Sequence, residues 1–195
     1  MGRPREFDET AVLEAAMQHF WAQGYELTSV RDLANCMGIT GPSLYNAFGD
    51  KRSLYRRALD YYLEQSVYDR ISRLEGLPPV DAVRAFFDEI IERSVSDKQR
   101  KGCLLVNSAL EVAPHDVEFQ KVVARSMMLI EAFFRRCIAA GQEEGTISVA
   151  RPAAELAKVL LSVLLGIRVL ARTRPQPAVL RGAANGVLAL LKVDS

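Results

Sequence analysis

The sequence predicts an all-α fold of about nine helices, in which three short N-terminal helices precede a larger helical region. Apolar residues recur at helical spacing along most of the chain, and the first example is the set Leu13, Ala16, Met17 and Phe20. No stretch shows the two-residue alternation of a strand flanked by hairpin turns. The chain has 195 residues, 49% of them apolar, and is therefore long enough to bury a substantial core.

Capping residues and glycines mark the first two helices. Asp8 is placed to cap the first helix, which Gly24 ends. Ser29 and Asp32 have the spacing of a capping box, so they open a second helix. Gly38 tolerates the backbone conformation that ends this second helix.

The same signals divide the rest of the chain. Thr40 can cap a third helix that has Pro42 in its first turn and stops near Gly49. Asp50 then caps a long helix from Lys51 to about Glu75. Prolines and glycines separate the helices predicted after it, over 79–96, 103–112, 116–144, 152–173 and 177–192.

Residues 29–48 meet the requirements of a helix-turn-helix. Ala34 supplies the small residue that two tightly crossing helices need, and Gly38 supplies the turn. The residues that would close the pair onto the first helix are apolar: Leu33, Met37, Ile39 and Leu44. The second helix is left with short polar or small groups that suit a DNA major groove: Thr40, Gly41, Ser43, Tyr45 and Asn46.

The charge distribution supports a DNA-facing surface although the formal net charge is only +1. Residues 1–5 carry two arginines and no acid, and residues 39–57 carry four basic residues and one acid. Residues 6–38 carry six acids against one arginine. Lys51 begins a helix, where backbone N–H groups favour a phosphate. The positive segments are therefore expected to flank a groove of the DNA.

Three segments, "FWAQGYELTSV", "RDLANCMGIT" and "GPSLYNAFGDKRSLYRRAL", closely resemble the TetR family of transcriptional regulators. This resemblance covers residues 1 to about 60. The segment "GCLLVNSALE" at 102–111 resembles the C-terminal domain of one subgroup, called AcrR-like. The resemblance implies a helix-turn-helix DNA-binding domain over 1–49 and a helical ligand-binding and dimerisation domain over 50–195.

The resemblance also implies that Tyr45 and Lys51 contact DNA phosphates. Thr28 and Ser29 could donate to phosphates as well, although capping alone explains Ser29. The alternative is that Tyr45 is half core and Lys51 is a solvated lysine.

Four residues of the third helix are candidates to contact base edges: Thr40, Gly41, Ser43 and Asn46. Asn46 could pair with adenine through two hydrogen bonds. The alternative for each is a helix cap or a surface position. Arg3 and Arg5 could reach the minor groove as an arm, or they could form a disordered basic tail.

The larger region is expected to contain a ligand cavity and a dimer interface. Large, soft apolar residues could line the cavity or be plain core: Phe86, Phe87, Ile90, Leu105, Met127, Met128, Phe133 and Phe134. The last two helices are nearly too apolar for a monomer surface, and a two-fold four-helix bundle would bury the residues Leu156, Leu160, Val163, Leu164, Ala183, Ala184, Val187, Leu188 and Leu191. Gly166, Gly182 and Gly186 would allow the helices to approach closely.

Cys103 is a candidate sensor thiol. It follows Arg100 and Lys101 and begins a helix, and both features favour the thiolate. Asn107 lies one turn further on, among apolar residues. The hypothesis is a thiol that reacts with electrophiles or oxidants and so releases DNA. The alternative is a small core residue that happens to be a cysteine.

Other classes of function find little support in the sequence. The two histidines lack metal-ligand spacing, and there is no Cys-x-x-Cys, phosphate-binding glycine loop or Gly-x-Ser-x-Gly, so no enzyme, metal or cofactor is expected. The apolar run Val159–Ile167 is too short to cross a membrane. Three scattered cysteines and an N-terminus without an apolar signal segment favour the cytoplasm.

Together these features predict a homodimeric DNA-binding repressor. It would bind an inverted-repeat operator and be released by a small-molecule inducer or by thiol modification. Transcriptional activation is an alternative within regulation. A ligand-binding or thiol-reactive protein or enzyme that has kept the fold but lost DNA binding is an alternative from another class. Steep salt dependence of DNA binding would separate a regulator from that alternative.

Overall fold

The predicted all-α fold is confirmed by the computed structural model, which describes residues 8–193 and contains no strand among them. The helices are α1 (Glu9–Gln23), α2 (Val30–Met37), α3 (Gly41–Phe48), α4 (Lys51–Leu63), α5 (Asp69–Leu74), α6 (Pro79–Ser96), α7 (Leu104–Glu111), α8 (Val117–Glu143), α9 (Ala153–Thr173) and α10 (Pro177–Leu188). A π-helical turn, Glu64–Tyr68, joins α4 to α5, and a 3₁₀ turn, Ala189–Leu191, follows α10. If α4 to α5 is counted as one continuous helix, the described residues form the predicted nine.

The predicted caps account for the N-terminal helices. Side-chain oxygens cap the first four helices at Asp8, Ser29, Thr40 and Asp50. Ser29 and Asp32 form the reciprocal capping box, in which each side chain accepts from the backbone N–H of the other residue. Gly38 ends α2 in the left-handed conformation, at φ 65°, and this sharp stop sets the direction of α3.

The π-helical turn interrupts a helix that was predicted to be unbroken. No proline or glycine marks the site in the sequence. The Arg70 guanidinium donates to the Ser66 carbonyl oxygen at 2.6 Å and so gives a backbone acceptor of the widened turn a side-chain partner. At the other end of the chain, α10 stops at Leu188 rather than near 192, because the helix tightens into the 3₁₀ turn.

One continuous core runs through the described residues. α1 packs along α4 and α2, and α3 packs against α2 and α4. Of the residues predicted to close the pair, Leu33, Met37 and Leu44 are buried and Ile39 is half-buried, and Ala34 at the crossing is also buried. The Tyr55 ring of α4 lies 4.8 Å from the Phe20 ring of α1 and 5.4 Å from the Phe119 ring of α8. Aromatic packing therefore ties the helix-turn-helix to the larger helical region. The proposed domain boundary at residues 49 and 50 stays a prediction, since α4 packs against both parts.

The predicted dimer residues need correction. Most of them are buried inside the single chain, where α9 packs on α8 and α10: Leu156, Leu160, Leu164, Ala184, Val187 and Leu191. Val163, Ala183 and Leu188 are half-buried. Besides charged and amide residues, the exposed positions of these helices include small and β-branched residues: Val159, Ser162, Gly166 and Val169 on α9, and Ala178, Gly182 and Gly186 on α10. We call this set the α9–α10 outer face.

None of the described helices is long and apolar enough to span a membrane.

Candidate nucleic-acid interface and buried thiol site

The exposed side of α3 carries the residues predicted to meet DNA. Leu44 and Phe48 are buried and anchor the inner side of the helix. Tyr45 is 53% exposed on the outer side, and Asn46 next to it is also exposed. Thr40 is exposed at the helix start, and Gly41 and Ser43 are half-buried. The Thr40 and Ser43 hydroxyls are hydrogen bonded to each other at 2.9 Å.

Lys51 stands beside this surface at the start of α4. Its Nζ lies 4.3 Å from the centroid of the Tyr25 ring and donates to the Glu26 carbonyl oxygen at 3.4 Å. No carboxylate of the described residues lies within ion-pair distance of this ammonium group. The lysine therefore keeps an uncompensated charge at a helix N-terminus, which suits a phosphate.

Two predicted phosphate donors are occupied inside the chain. Thr28 is buried, and its hydroxyl donates to the Gly24 carbonyl oxygen at 2.6 Å. The Ser29 hydroxyl donates to the Asp32 carboxylate at 2.5 Å. The prediction that Thr28 reaches DNA is therefore wrong for the side chain, and Ser29 serves as the cap. Arg3 and Arg5 lie outside the described residues.

The basic residues that follow Lys51 face acids of the same chain. Arg52 forms ion pairs with Asp116 at 2.6 Å and with Glu118 at 2.6 Å, and Arg56 pairs with Glu118 at 2.7 Å. The hydrogen bond from Arg52 lowers the pKa of Asp116 to about 2. Arg57 pairs with Glu9 of α1. The positive segment predicted over 39–57 is thus largely neutralised, and its arginines join α4 to α8 and α1.

Glu111 at the end of α7 anchors the turn between α1 and α2, a contact that the sequence analysis missed. The Glu26 backbone N–H donates to the Glu111 carboxylate at 2.8 Å. Gly24 has φ +86°, and a Cβ there would lie 3.0 Å from the same carboxylate, so only glycine fits without strain. Through Glu111, the larger helical region therefore fixes the turn between α1 and α2, which immediately precedes the helix-turn-helix.

Cys103 is buried at the N-cap position of α7 and is contacted by two residues that sequence reasoning did not find. The Tyr62 hydroxyl donates to the Cys103 sulfur at 3.4 Å. Arg168 of α9 in turn donates to the Tyr62 hydroxyl and to the Ser94 hydroxyl, both at 3.3 Å. Arg100, one of the predicted cations, is exposed instead. No local pattern marks Arg168, since it approaches from another helix.

The surroundings of Cys103 favour its thiolate. Burial opposes ionisation, but the Arg168 charge, the Tyr62 hydroxyl and the Val106 backbone N–H outweigh it, and the pKa of Cys103 is lowered. The other two thiols behave in the opposite way: burial raises the pKa of Cys36 and raises that of Cys137 to about 11. Cys103 is therefore the activated thiol among the three.

The apolar cavity beside Cys103 is small. Its volume is about 30 Å³, and its walls include the predicted residues Cys103, Phe86 and Ile90 together with Tyr62 and Arg168. Such a volume holds one or two waters. The predicted residue Leu105 lines it as well, whereas the other predicted lining residues do not reach this cavity: Phe87, Asn107, Met127, Met128, Phe133 and Phe134.

Their positions explain the difference. Phe87 and Phe134 stack on each other at 5.8 Å within the core. Asn107 donates to the Lys101 carbonyl oxygen at 3.1 Å and accepts from Arg172, so it fastens the loop before α7. Met128 lies on the solvent-facing side of α8 and is 68% exposed.

The arrangement is that of a bacterial helix-turn-helix regulator with a helical effector domain, and comparisons with known proteins agree. Residues 12–58 match the family model described as bacterial regulatory proteins, tetR family, and residues 79–187 match the Tetracyclin repressor-like, C-terminal domain. The chain belongs to the TetR family of DNA-binding transcriptional regulators. The narrower AcrR-like resemblance stays a prediction.

Relatives cover most of the chain. The HTH-type transcriptional regulator YezE of Bacillus subtilis is 35% identical over 76% of this chain and 77% of its own. The repressor ComR of Escherichia coli is 28% identical over 88% of this chain and 82% of its own. A solved structure of the TetR family regulator CifR, a cysteine mutant complexed with 26-bp operator DNA, is 33% identical with a TM-score of 0.86, over 97% of this chain and 100% of that chain.

Replacing Arg168 tests its effect on the thiol. In Arg168→Gln the pKa of Cys103 should rise, because the nearby positive charge is lost. At any pH below the pKa, each unit of rise lowers the thiolate fraction about tenfold. The measurement is the rate of alkylation by iodoacetamide against pH, resolved for each cysteine by mass spectrometry.

Cys36 and Cys137 serve as internal controls, because neither contacts Arg168 and their rates should not change. Tyr62→Phe, which removes one donor and little volume, should raise the same pKa by less. An unchanged Cys103 profile in a folded Arg168→Gln protein would contradict the assigned role of Arg168.

Proposed function

We propose that the chain is a homodimeric TetR-type repressor that binds an inverted-repeat operator and is released by a change in its effector region. The observation that carries this proposal is the exposed side of α3 together with the Lys51 ammonium group, which has no carboxylate partner among the described residues. The operator complex of CifR, 33% identical to this chain, supports the same use of the fold. ComR, named a repressor, supports repression over activation.

Each residue of the surface receives a role in this proposal. Asn46 lies exposed on α3 and reads an adenine edge with its amide. Tyr45 and Lys51 bind phosphates on either side of the groove and position the helix. Thr40, Gly41 and Ser43 form the narrow leading end of α3, which lets the backbone approach the bases closely.

The α9–α10 outer face is the proposed dimer interface. A Cβ added at Gly166, Gly182 or Gly186 would meet no atom of the same chain within 4 Å. These glycines are therefore not required by the packing of the monomer. A second copy packed on them would bury the exposed Val159 and Val169 and bring the helix backbones close together.

Release of DNA is proposed to begin at Cys103 and to travel along α7. The cavity of about 30 Å³ favours a small thiol-reactive molecule as the effector, since a larger inducer needs the helices to move apart. An adduct on Cys103 has no room and pushes on the start of α7. That helix contacts α4 through the hydrogen bond of 2.8 Å between Ser108 and Tyr55, and it contacts the helix-turn-helix through Glu111. Two positions of α7 would thus give two positions of the helix-turn-helix domains in the dimer.

Fluorescence anisotropy with DNA from upstream of the chain's own gene tests the proposed function. Titrations at several salt concentrations, with random DNA as control, should show tight, salt-sensitive and sequence-selective binding.

Lys51→Ala should weaken binding to all sequences and lower the salt slope by about 1, whereas Asn46→Ala should cost about 1–3 kcal/mol mainly at one base position. Lys98→Ala removes a charge from an exposed position outside the helix-turn-helix and should change neither. Equal losses of affinity for Lys51→Ala and Asn46→Ala without a change in base preference would refute the role of Asn46. DNA binding that does not depend on salt would favour the alternative, a protein that has kept the fold but lost specific DNA binding.

Gly182→Leu tests the dimer interface. The monomer should remain folded, because the added side chain meets open space and leucine favours a helix. The dimer should dissociate, since the larger side chain holds the two outer faces apart. Analytical ultracentrifugation reads the mass, and Gly76→Leu, at an equally open glycine outside α9 and α10, is the matched control. A dimer of unchanged stability in Gly182→Leu would place the interface elsewhere.

Glu111→Ala tests the route of coupling. In the wild-type protein, alkylation of Cys103 should lower operator affinity roughly fivefold or more. Loss of the Glu111 carboxylate should bring this ratio towards one, because the end of α7 then no longer holds the turn at Glu26. Anisotropy before and after alkylation gives the ratio, and Leu110→Ala, at the exposed neighbouring position, should keep the wild-type value. An undiminished ratio in Glu111→Ala would exclude this route.

A further inference from the structure

A second and larger space shares Tyr62, Ser66 and Arg168 with the Cys103 cavity. It is a cleft of about 360 Å³ bounded by α1, α4, the π-helical turn, α6, the 97–102 loop and α9. Tyr62 and Arg168 line both spaces, whereas Cys103 lines only the small cavity. The cleft is large enough for a small organic ligand. It also touches the DNA-reading part of the chain directly, through α1.

Cationic hydrogen-bond donors without a carboxylate partner among the described residues gather at this cleft. Arg168 is only 8% exposed, donates to the neutral hydroxyls of Tyr62 and Ser94, and has the Cys103 thiol as its other polar neighbour. Lys101 donates to the Gln18 side-chain oxygen at 3.0 Å and lies 4.6 Å from the Trp21 ring. A buried guanidinium is normally paired with a carboxylate, so Arg168 is short of a negative charge.

Trp21 adds an unused donor and a flat apolar wall. Its indole Nε1 is buried and has no hydrogen-bond partner among the described residues. Its ring meets the Tyr62 ring edge to face at 5.0 Å, and Tyr61 lines the same cleft. The walls therefore combine aromatic surface with donors, a combination that suits a flat ligand with a polar end.

Two carboxylates also line the cleft, and against its three cations they leave a formal excess of one positive charge. Asp97 accepts the backbone N–H groups of Gln99 at 3.1 Å and Lys101 at 2.7 Å, so it is committed to the loop. Glu14 forms no ion pair with Lys101 or Arg168. Arg93 is a third cation on the wall. Three cations thus stand against two acids, one of which is already bonded to the loop.

We propose that this cleft binds a small carboxylate with a flat apolar body. The ring lies against Trp21 and Tyr62, and the carboxylate receives hydrogen bonds from Lys101 and Arg168. This site is separate from the thiol site in the proposed function and takes a different class of molecule. A ligand there ties α1 to α6 and α9, and it shares Arg168 with Cys103.

Benzoate and two neutral or cationic analogues of the same ring, benzamide and benzylamine, test the proposal on the full chain. Trp21 is the only tryptophan, so intrinsic tryptophan fluorescence reports on the cleft itself. Benzoate should change the fluorescence saturably at constant ionic strength and pH. Benzamide and benzylamine should bind about tenfold more weakly or worse, because a charge-assisted hydrogen bond is lost. Isothermal titration calorimetry of the same compounds would detect binding that does not change the fluorescence. The larger carboxylate 2-naphthoate is titrated in the same way.

Two lysine variants locate the binding. Lys101→Gln should weaken benzoate about tenfold, whereas Lys98→Gln, which removes the same charge from the exposed part of the loop, should not. Three results would overturn the proposal: equal binding of the three analogues, equal loss in both variants, or no saturable binding of either carboxylate. DNA affinity without added carboxylate is measured separately, so failure here leaves the test of repression intact.

Discussion

The buried ring of Tyr55 joins the DNA-reading part of the molecule to the larger helical region. Phe20 and Tyr25 contact the ring from the side of α1, and Phe119 contacts it from α8. Its hydroxyl is hydrogen bonded to Ser108 on α7 at 2.8 Å. Burial raises the pKa of Tyr55 to about 12, so the phenol stays neutral and the hydrogen bond persists at physiological pH. The helix-turn-helix is therefore not free to swing alone, and a shift of α7 must be felt at α1 and α4.

The helices and the DNA-facing side of α3 could be predicted from the sequence because their causes are local. The capping box needs only Ser29 and Asp32, three positions apart, and the turn needs one glycine at position 38. The inward Leu44 and the outward Asn46 follow from the helical period alone. The same period also predicted the later helices, although it did not reveal the π-helical turn, whose backbone contact from Arg70 leaves no pattern in the sequence.

The rest of the site depends on contacts between residues far apart in the chain. Arg52 belongs to the basic segment 39–57 that was expected to flank a DNA groove, but its acidic partner, Asp116, lies 64 positions away. Arg168 donates to Tyr62, which lies 106 positions earlier in the chain, so no local sequence motif could predict this contact. The dimer residues were misassigned for a different reason. Helix α9 is apolar on two sides, and its periodicity does not say that the Leu160 side is core and the Val159 side is outer face.

Arg168 couples the thiol site to the cleft, because few negative charges surround this buried guanidinium and an anion at either site could compensate it. A buried guanidinium costs several kcal/mol unless an anion compensates it. In the described part of the chain the group next to Arg168 that can supply such an anion is the Cys103 thiol, because Arg168 lowers its pKa and favours its ionised form. A carboxylate in the cleft would supply the compensation instead and leave the thiolate less stabilised. The proposed carboxylate and a thiol-reactive effector would therefore oppose each other through one cation, and we expect an occupied cleft to slow the reaction of Cys103 with an electrophile. Reciprocity requires that alkylation of Cys103, which removes the thiolate, strengthens carboxylate binding in the cleft by leaving Arg168 without its partner.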